Sequence, residues 1–140
     1  MSYLLDTCVI SELAKPRPNS GVIEWVTESD VADLHLSVIS IGKIQRGTLR
    51  LPAGKRKTSL SEWADNLRRS FAGRIISVDE PVVLRWADIS ARAEKAGRPG
   101  SFADGLIAAT ALHHGMTLVT RNTSDFESFG VALVNPWIKR

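Results

Sequence analysis

Short apolar runs alternate with longer amphipathic stretches along almost all of the 140-residue chain, and this limits its possible folds more than any other feature. Tyr3-Leu4-Leu5, Leu34 to Val38, Arg74 to Val78, Met116 to Thr120 and Val131 to Val134 read as strands. The intervals read as helices. Val9 to Lys15 is stopped by Pro16 and Pro18, and Asn19 or Ser20 can cap a helix that places Val22, Ile23 and Val26 on one face. Ser40 can cap a helix to about Leu49, and Pro52-Ala53-Gly54 turns the chain into one carrying Leu60, Trp63, Ala64 and Leu67. Pro81 suits the first turn of a helix ending at Gly97, and Ser101 opens another that ends at Gly115. Strand–helix alternation predicts an α/β fold: a mostly parallel five-stranded sheet with helices on both faces. With no internal repeat and no linker, residues 1–140 read as a single domain.

Composition removes several function classes. Apolar residues at 44% and charged ones at 24% exclude wholesale disorder. Cys8 is the only cysteine and His35, His113 and His114 are the only histidines, so neither a disulfide framework nor a zinc ligand set is available. A lone cysteine after a strand reads as packing, and His113-His114 suits a helix C-terminus. The start, MSYLLDTCVI, lacks a basic region and meets an acid at Asp6, so it does not read as a signal peptide. No uncharged run approaches a membrane span, and a soluble, cytoplasmic protein is expected. Dinucleotide, P-loop and esterase-elbow motifs are missing. The net charge of +3 hides a local feature. Between Leu34 and Ser61 lie six bases (Lys43, Arg46, Arg50, Lys55, Arg56, Lys57) and no acid. Such a strip suits a polyanionic partner, and it also reads as a solvated helix face followed by a basic loop.

The acids supply the chemistry. In parallel sheets ligands bind at the carboxyl ends of the strands. Asp6 directly follows the first strand, Asp125 lies in the loop after the fourth, and Asp104 sits in the first turn of the Ser101 helix. Each also has a structural reading. Asp104 fits a Ser101-x-x-Asp104 capping box, Asp6 can start a turn, and Asp125 can cap a short helix over Phe126 to Phe129. Carboxylates gathered at one sheet edge repel one another unless a cation lies between them. Without sulfur or imidazole ligands, that cation is a hard one, Mg²⁺ or Mn²⁺. A carboxylate-held ion beside a basic strip points to hydrolysis of nucleic-acid phosphodiesters.

Five segments together resemble the PIN-domain ribonucleases, in particular the VapC-like toxins of bacterial toxin–antitoxin pairs. They are Leu4-Leu5-Asp6-Thr7-Cys8-Val9-Ile10-Ser11-Glu12-Leu13, the stretch from Ser37 to Gly47, Ala103-Asp104-Gly105-Leu106-Ile107, Leu118 to Phe126, and Asn135-Pro136-Trp137. The resemblance implies a Rossmann-like parallel sheet and Mg²⁺- or Mn²⁺-dependent endonucleolytic cleavage of RNA, leaving 5′-phosphate and 3′-hydroxyl ends. It also implies a cognate antitoxin and a homodimer. By motif match, Asp6 and Asp104 are the metal ligands and Asp125 is a further catalytic acid. Asn122 stands where relatives also place an acid, and Thr7 and Thr120 support the site.

The chain departs from that pattern at two places. Cys8 replaces a common Asn. Lys43 stands where the family carries Glu. Three residues after a Ser40 cap, a lysine would oppose the helix dipole and forfeit a capping box. Its ammonium is also expected to pair with Asp6 or Asp104 and compete with the metal. A catalytically silent module that holds RNA or antitoxin is therefore the alternative to an active nuclease, with Lys43, Arg46 and Arg50 on one helix face. Neutralising Arg46, Arg50 and Lys55 to Lys57 is expected to weaken RNA binding and flatten its salt dependence. An unchanged salt slope would leave the strip as a solvated face.

Overall fold

The computed structural model describes residues 1–138. The strands are β1 (Tyr3–Leu5), β2 (Leu34–Ser37), β3 (Ile75–Ile76), β4 (Thr117–Val119) and β5 (Leu133–Val134). They form one sheet in the order β3-β2-β1-β4-β5, and every pairing is parallel. The helices are α1 (Thr7–Leu13), α2 (Ser20–Glu28), α3 (Val38–Leu49), α4 (Lys55–Ser70), α5 (Glu80–Lys95), α6 (Phe102–His114) and α7 (Thr123–Phe126).

Strand alternation divides the core in two. Leu4 and Leu118 point to the face covered by Val82 and Ile89 of α5, Ile107 and Ala111 of α6, and Phe126 of α7. Their neighbours Leu5 and Val119 point to the other face, against Val9 and Ile10 of α1 and Val22 of α2, with Trp63 and Leu67 of α4 packed alongside. The expected helices on both faces follow from this alternation. The chain runs outward through β2 and β3 on one side of β1, then restarts at β4 on its other side. The order therefore reverses between β1 and β4, and a crevice opens at their carboxyl ends.

Several local expectations need correction. The first helix starts at Thr7 rather than Val9, with Asp6 as its cap. Asn19 caps α2 by accepting from the amides of Gly21 and Val22, but Ile23 is 42% exposed and lies off the buried face. Ser37 rather than Ser40 caps α3, its hydroxyl accepting from the Ile39 amide at 3.0 Å. Val38 consequently belongs to the helix, and Lys43 is its sixth residue. A lysine in the second turn forfeits no capping box and meets little of the terminal dipole, so that stability argument falls away. Asp125 does not cap α7 either: Asn122 precedes the helix, and Asp125 lies within it.

At the junction of α1 and α2, the buried Glu12 accepts from Lys15 Nζ and from the Asn19 amide, both at 2.9 Å. These contacts, the Lys15 hydrogen bond foremost, hold its carboxyl below the ordinary glutamate range. The junction therefore keeps its full strength above that range and loosens only as pH falls through the lowered value.

The helix that carries Asp104 is fixed by a close approach. A Cβ on Gly105 would come within 2.8 Å of Trp86 Cδ1 and 2.9 Å of its Nε1, both belonging to a partly buried ring on α5. Gly105→Ala in a helix interior ordinarily gains about 1 kcal/mol, but overpacking against a rigid indole costs about 1–3 kcal/mol. The substitution is expected to lower the urea midpoint, and a raised midpoint would show that Trp86 yields freely.

Candidate active site

Asp6 emerges from β1 and is 5% exposed. A carboxylate this buried needs partners for both oxygens, and it has them. Its Oδ1 accepts from the Thr7 amide at 2.8 Å, and its Oδ2 accepts from Thr120 Oγ1 at 2.9 Å. Thr120 follows β4, and its oxygen in turn accepts from the Asn122 amide at 3.0 Å. The Asp6 amide extends the ladder to the Val119 carbonyl at 2.9 Å. Ends of the two strands at the order reversal are thus bound together by backbone and side chain at once.

Cys8 joins this cluster, which its reading as packing did not foresee. Its thiol donates to Asp6 Oδ2 at 3.6 Å, lies 3.5 Å from Thr120 Oγ1 and accepts from the Arg121 amide at 3.4 Å. Burial pushes the thiol above its ordinary value, and the Asp6 charge adds to the rise, while the Arg121 and Thr120 contacts oppose it. The Asp-Thr-Cys run followed by a helix was the available signal, but the partner across the sheet cannot be read from it.

Asp104 is the third residue of α6. Its amide donates to the Ser101 hydroxyl at 3.1 Å, so one half of the capping box is formed. The carboxylate serves another purpose. Lys43 Nζ reaches across from α3 to within 3.6 Å of Asp104 Oδ1, with the two side chains 38% and 21% exposed. Of the two partners that the sequence left open for Lys43, the structure pairs it with Asp104. Asp125 is exposed and lines a cleft of about 490 Å³ together with Asp104, Ser101 and Ser124. Of the supporting residues, Asn122 contributes its amide, and Thr7 lends its amide to Asp6 while its own Oγ1 is buried with no partner among the described residues. Ser40, one helical turn before Lys43, has a hydroxyl in the same condition.

Whether these residues suit a hard divalent ion is a question of how the acids gather. Among the described residues no three His, Cys, Asp or Glu side chains are grouped to hold a metal. Each Asp6 oxygen accepts a hydrogen bond, and Asp104 faces an ammonium. With Lys43 in place, the residues as they stand do not fit Mg²⁺ or Mn²⁺. The basic residues lie outside this cluster: Arg46, Arg50, Lys55 and Arg56 are exposed along the end of α3 and the start of α4, and Lys57 is partly covered.

The arrangement is an α/β sheet with acids at its order reversal, and the chain belongs to the PIN-domain family, whose model matches residues 3–131. It is 42% identical over 135 residues to toxin FitB of Neisseria gonorrhoeae, covering 96% of this chain and 97% of that protein. It is 38% identical over 135 residues to VapC ribonuclease Y4jK of Sinorhizobium fredii, covering 96% of each. A solved structure of FitAB bound to an IR36 DNA fragment superposes with a TM-score of 0.93 at 41% identity, covering 99% of this chain and 97% of that one. No helix among the described residues is long and apolar enough to cross a membrane.

Thr120→Val removes a hydroxyl that serves both Asp6 and Asn122. It is expected to lower stability by about 1–3 kcal/mol in urea denaturation, the cost of an unsatisfied buried acceptor. Native Cys8 is expected to be alkylated slowly, because burial raises its thiol. A thiol alkylated as fast as free cysteine in the parent protein would contradict the burial argument.

Proposed function

We propose that this chain is the toxin of a toxin–antitoxin pair, built on the framework of a Mg²⁺- or Mn²⁺-dependent endoribonuclease whose ion site is closed by Lys43. The reading takes residues 1–140 as one domain that acts on RNA in the cytoplasm, is held by a cognate antitoxin and forms a homodimer. It draws on the kinship with a toxin and with a VapC ribonuclease, and on the FitAB assembly of a relative. The observation that carries it is the 3.6 Å pair between Lys43 and Asp104. An ammonium at that place supplies the positive charge that clustered acids otherwise draw from a metal.

In this reading Asp6 and Asp104 are the residues that hold an ion when position 43 is acidic, and Asp125 is a further catalytic acid at the rim. A divalent ion bound there would supply Lewis-acid activation of a phosphodiester. The residues' own tasks are distinct. Thr7 and Thr120 hold the Asp6 carboxylate in place and aim it, Asn122 orients the Thr120 hydroxyl, and Arg46, Arg50, Lys55, Arg56 and Lys57 receive the RNA backbone. The second reading, a silent module that holds RNA or antitoxin without cutting, is favoured by the same ion pair.

Lys43→Glu discriminates between them. The change moves the local charge by two units, and unit charges about 4 Å apart interact by about 4 kcal/mol at an effective dielectric of 20. A third of that interaction is about one decade of ion affinity. The variant is expected to bind Mg²⁺ at least about tenfold tighter than the parent, to gain thermal stability when Mg²⁺ is added, and to cleave RNA where the parent does not. In that background Asp6→Asn or Asp104→Asn should abolish the gain while leaving the fold intact, because an amide is a poor substitute for a carboxylate on Mg²⁺. Equal Mg²⁺ affinity and equal cleavage in parent and Lys43→Glu would place residue 43 outside the site and remove the proposal.

A further inference from the structure

The cleft beside Asp104 has a composition that the acid cluster alone does not explain. It lies between the loop joining α5 to α6 and the segment of α7 and its following turn, and it is lined by Arg98, Ser101, Asp104, Ser124, Asp125 and Ser128. At about 490 Å³ it is within the usual range for a small-ligand site. Its walls are joined by a surface ion pair and fixed to each other by close packing. Arg98 Nη2 meets Glu127 Oε2 at 3.2 Å, and Gly100 packs so closely on the Phe129 ring that a Cβ would come within 2.4 Å of Cζ. A cleft so held is preformed, which limits the ordering cost of binding.

The cleft's lining includes three serines, two aspartates and one cation, Arg98 of the α5–α6 loop, while Lys43 reaches Asp104 from α3. A phosphate beside the aspartates would face carboxylates, whereas a group that donates hydrogen bonds finds acceptors there. The Arg98–Glu127 pair is exposed on both sides, so Arg98 can exchange that partner for a phosphate at little cost.

We propose that this cleft is a ribonucleotide subsite, with sugar hydroxyls bound by Ser124, Ser128 and the neighbouring carboxylates, and with a flanking phosphate on Arg98. It rests on the RNA reading above and adds to it the means by which RNA is told from DNA. The 2′-hydroxyl is both donor and acceptor, and it is the group that DNA lacks.

The test is titration of the full chain, in EDTA so that nothing is cut, with a short single-stranded RNA and with its 2′-deoxy counterpart carrying the same bases. The parent is expected to bind the RNA roughly fivefold tighter, a ratio that one hydroxyl hydrogen bond supports. The Ser124→Ala/Ser128→Ala double variant should bring that ratio to about one. Arg98→Ala should weaken both oligonucleotides equally and reduce the salt slope by about one. RNA binding with equal affinity for the two oligonucleotides, a ratio unchanged in the serine variant, or an Arg98→Ala variant that behaves as the parent would overturn the subsite alone. Failure of the parent to bind RNA at all would overturn the RNA reading together with the subsite. The ratio measured in the parent requires no substitution, so a variant that fails to fold does not shield the proposal.

Discussion

The hydrogen bond from Thr120 to the Asp6 carboxylate closes the sheet at the point where its strand order reverses. Strands β1 and β4 are three residues each, so the ladder between them is short, and a charge-assisted side-chain bond at its end contributes a large share of the joint. The same carboxylate caps α1, and the same hydroxyl anchors the Asn122 amide ahead of α7. One buried anion therefore sets the directions in which the chain leaves the two central strands. The interior tolerates that charge because each oxygen is met by a donor. Removing a donor costs more than a single hydrogen bond is worth in net terms.

A second constraint is the rotational phase of α3. Ser37 caps it, so Ser40 falls in its first turn and Lys43 in its second, one turn further on. That spacing places both on the side of the helix that meets α6, where the ammonium finds Asp104. A start three residues later would leave a different set of side chains facing the acid. Position 43 is thus governed by a cap at the end of β2.

Elements with strong periodicity were legible without coordinates. The five strands, the parallel arrangement and the two-sided covering follow from apolar runs alternating with amphipathic helices. Asp6 and Asp104 were legible as site candidates because a residue directly after a strand, or in the first turn of a helix, has a place fixed by the topology. Between Ser37 and Ser40 the sequence offers no choice, since each is a competent cap and Val38 has the β-branched character of a strand. Ile23 shows the same limit: it shares the helical spacing of Val22 and Val26, yet the neighbouring elements do not reach it. The partner of Lys43 and the place of Cys8 depend on distances across the sheet, which no local pattern contains. Arg98, Ser124 and Ser128 carry no periodic signal, because Arg98 lies in a loop and each serine in a helical segment of four residues or fewer.

The outermost strands, β3 and β5, are two residues each. Pro136, which has no amide hydrogen to donate, follows β5 closely, and the Pro136 carbonyl packs near Gly21 of α2. The sheet thus offers almost no free backbone rim, and a rim is what another chain needs to add itself as an extra strand. Fibril-like stacking of native molecules and capture of an extended peptide by strand addition are both disfavoured by the architecture. A partner must be recognised through side chains on the helices and loops, where substitution can change the choice of partner and leave the sheet intact.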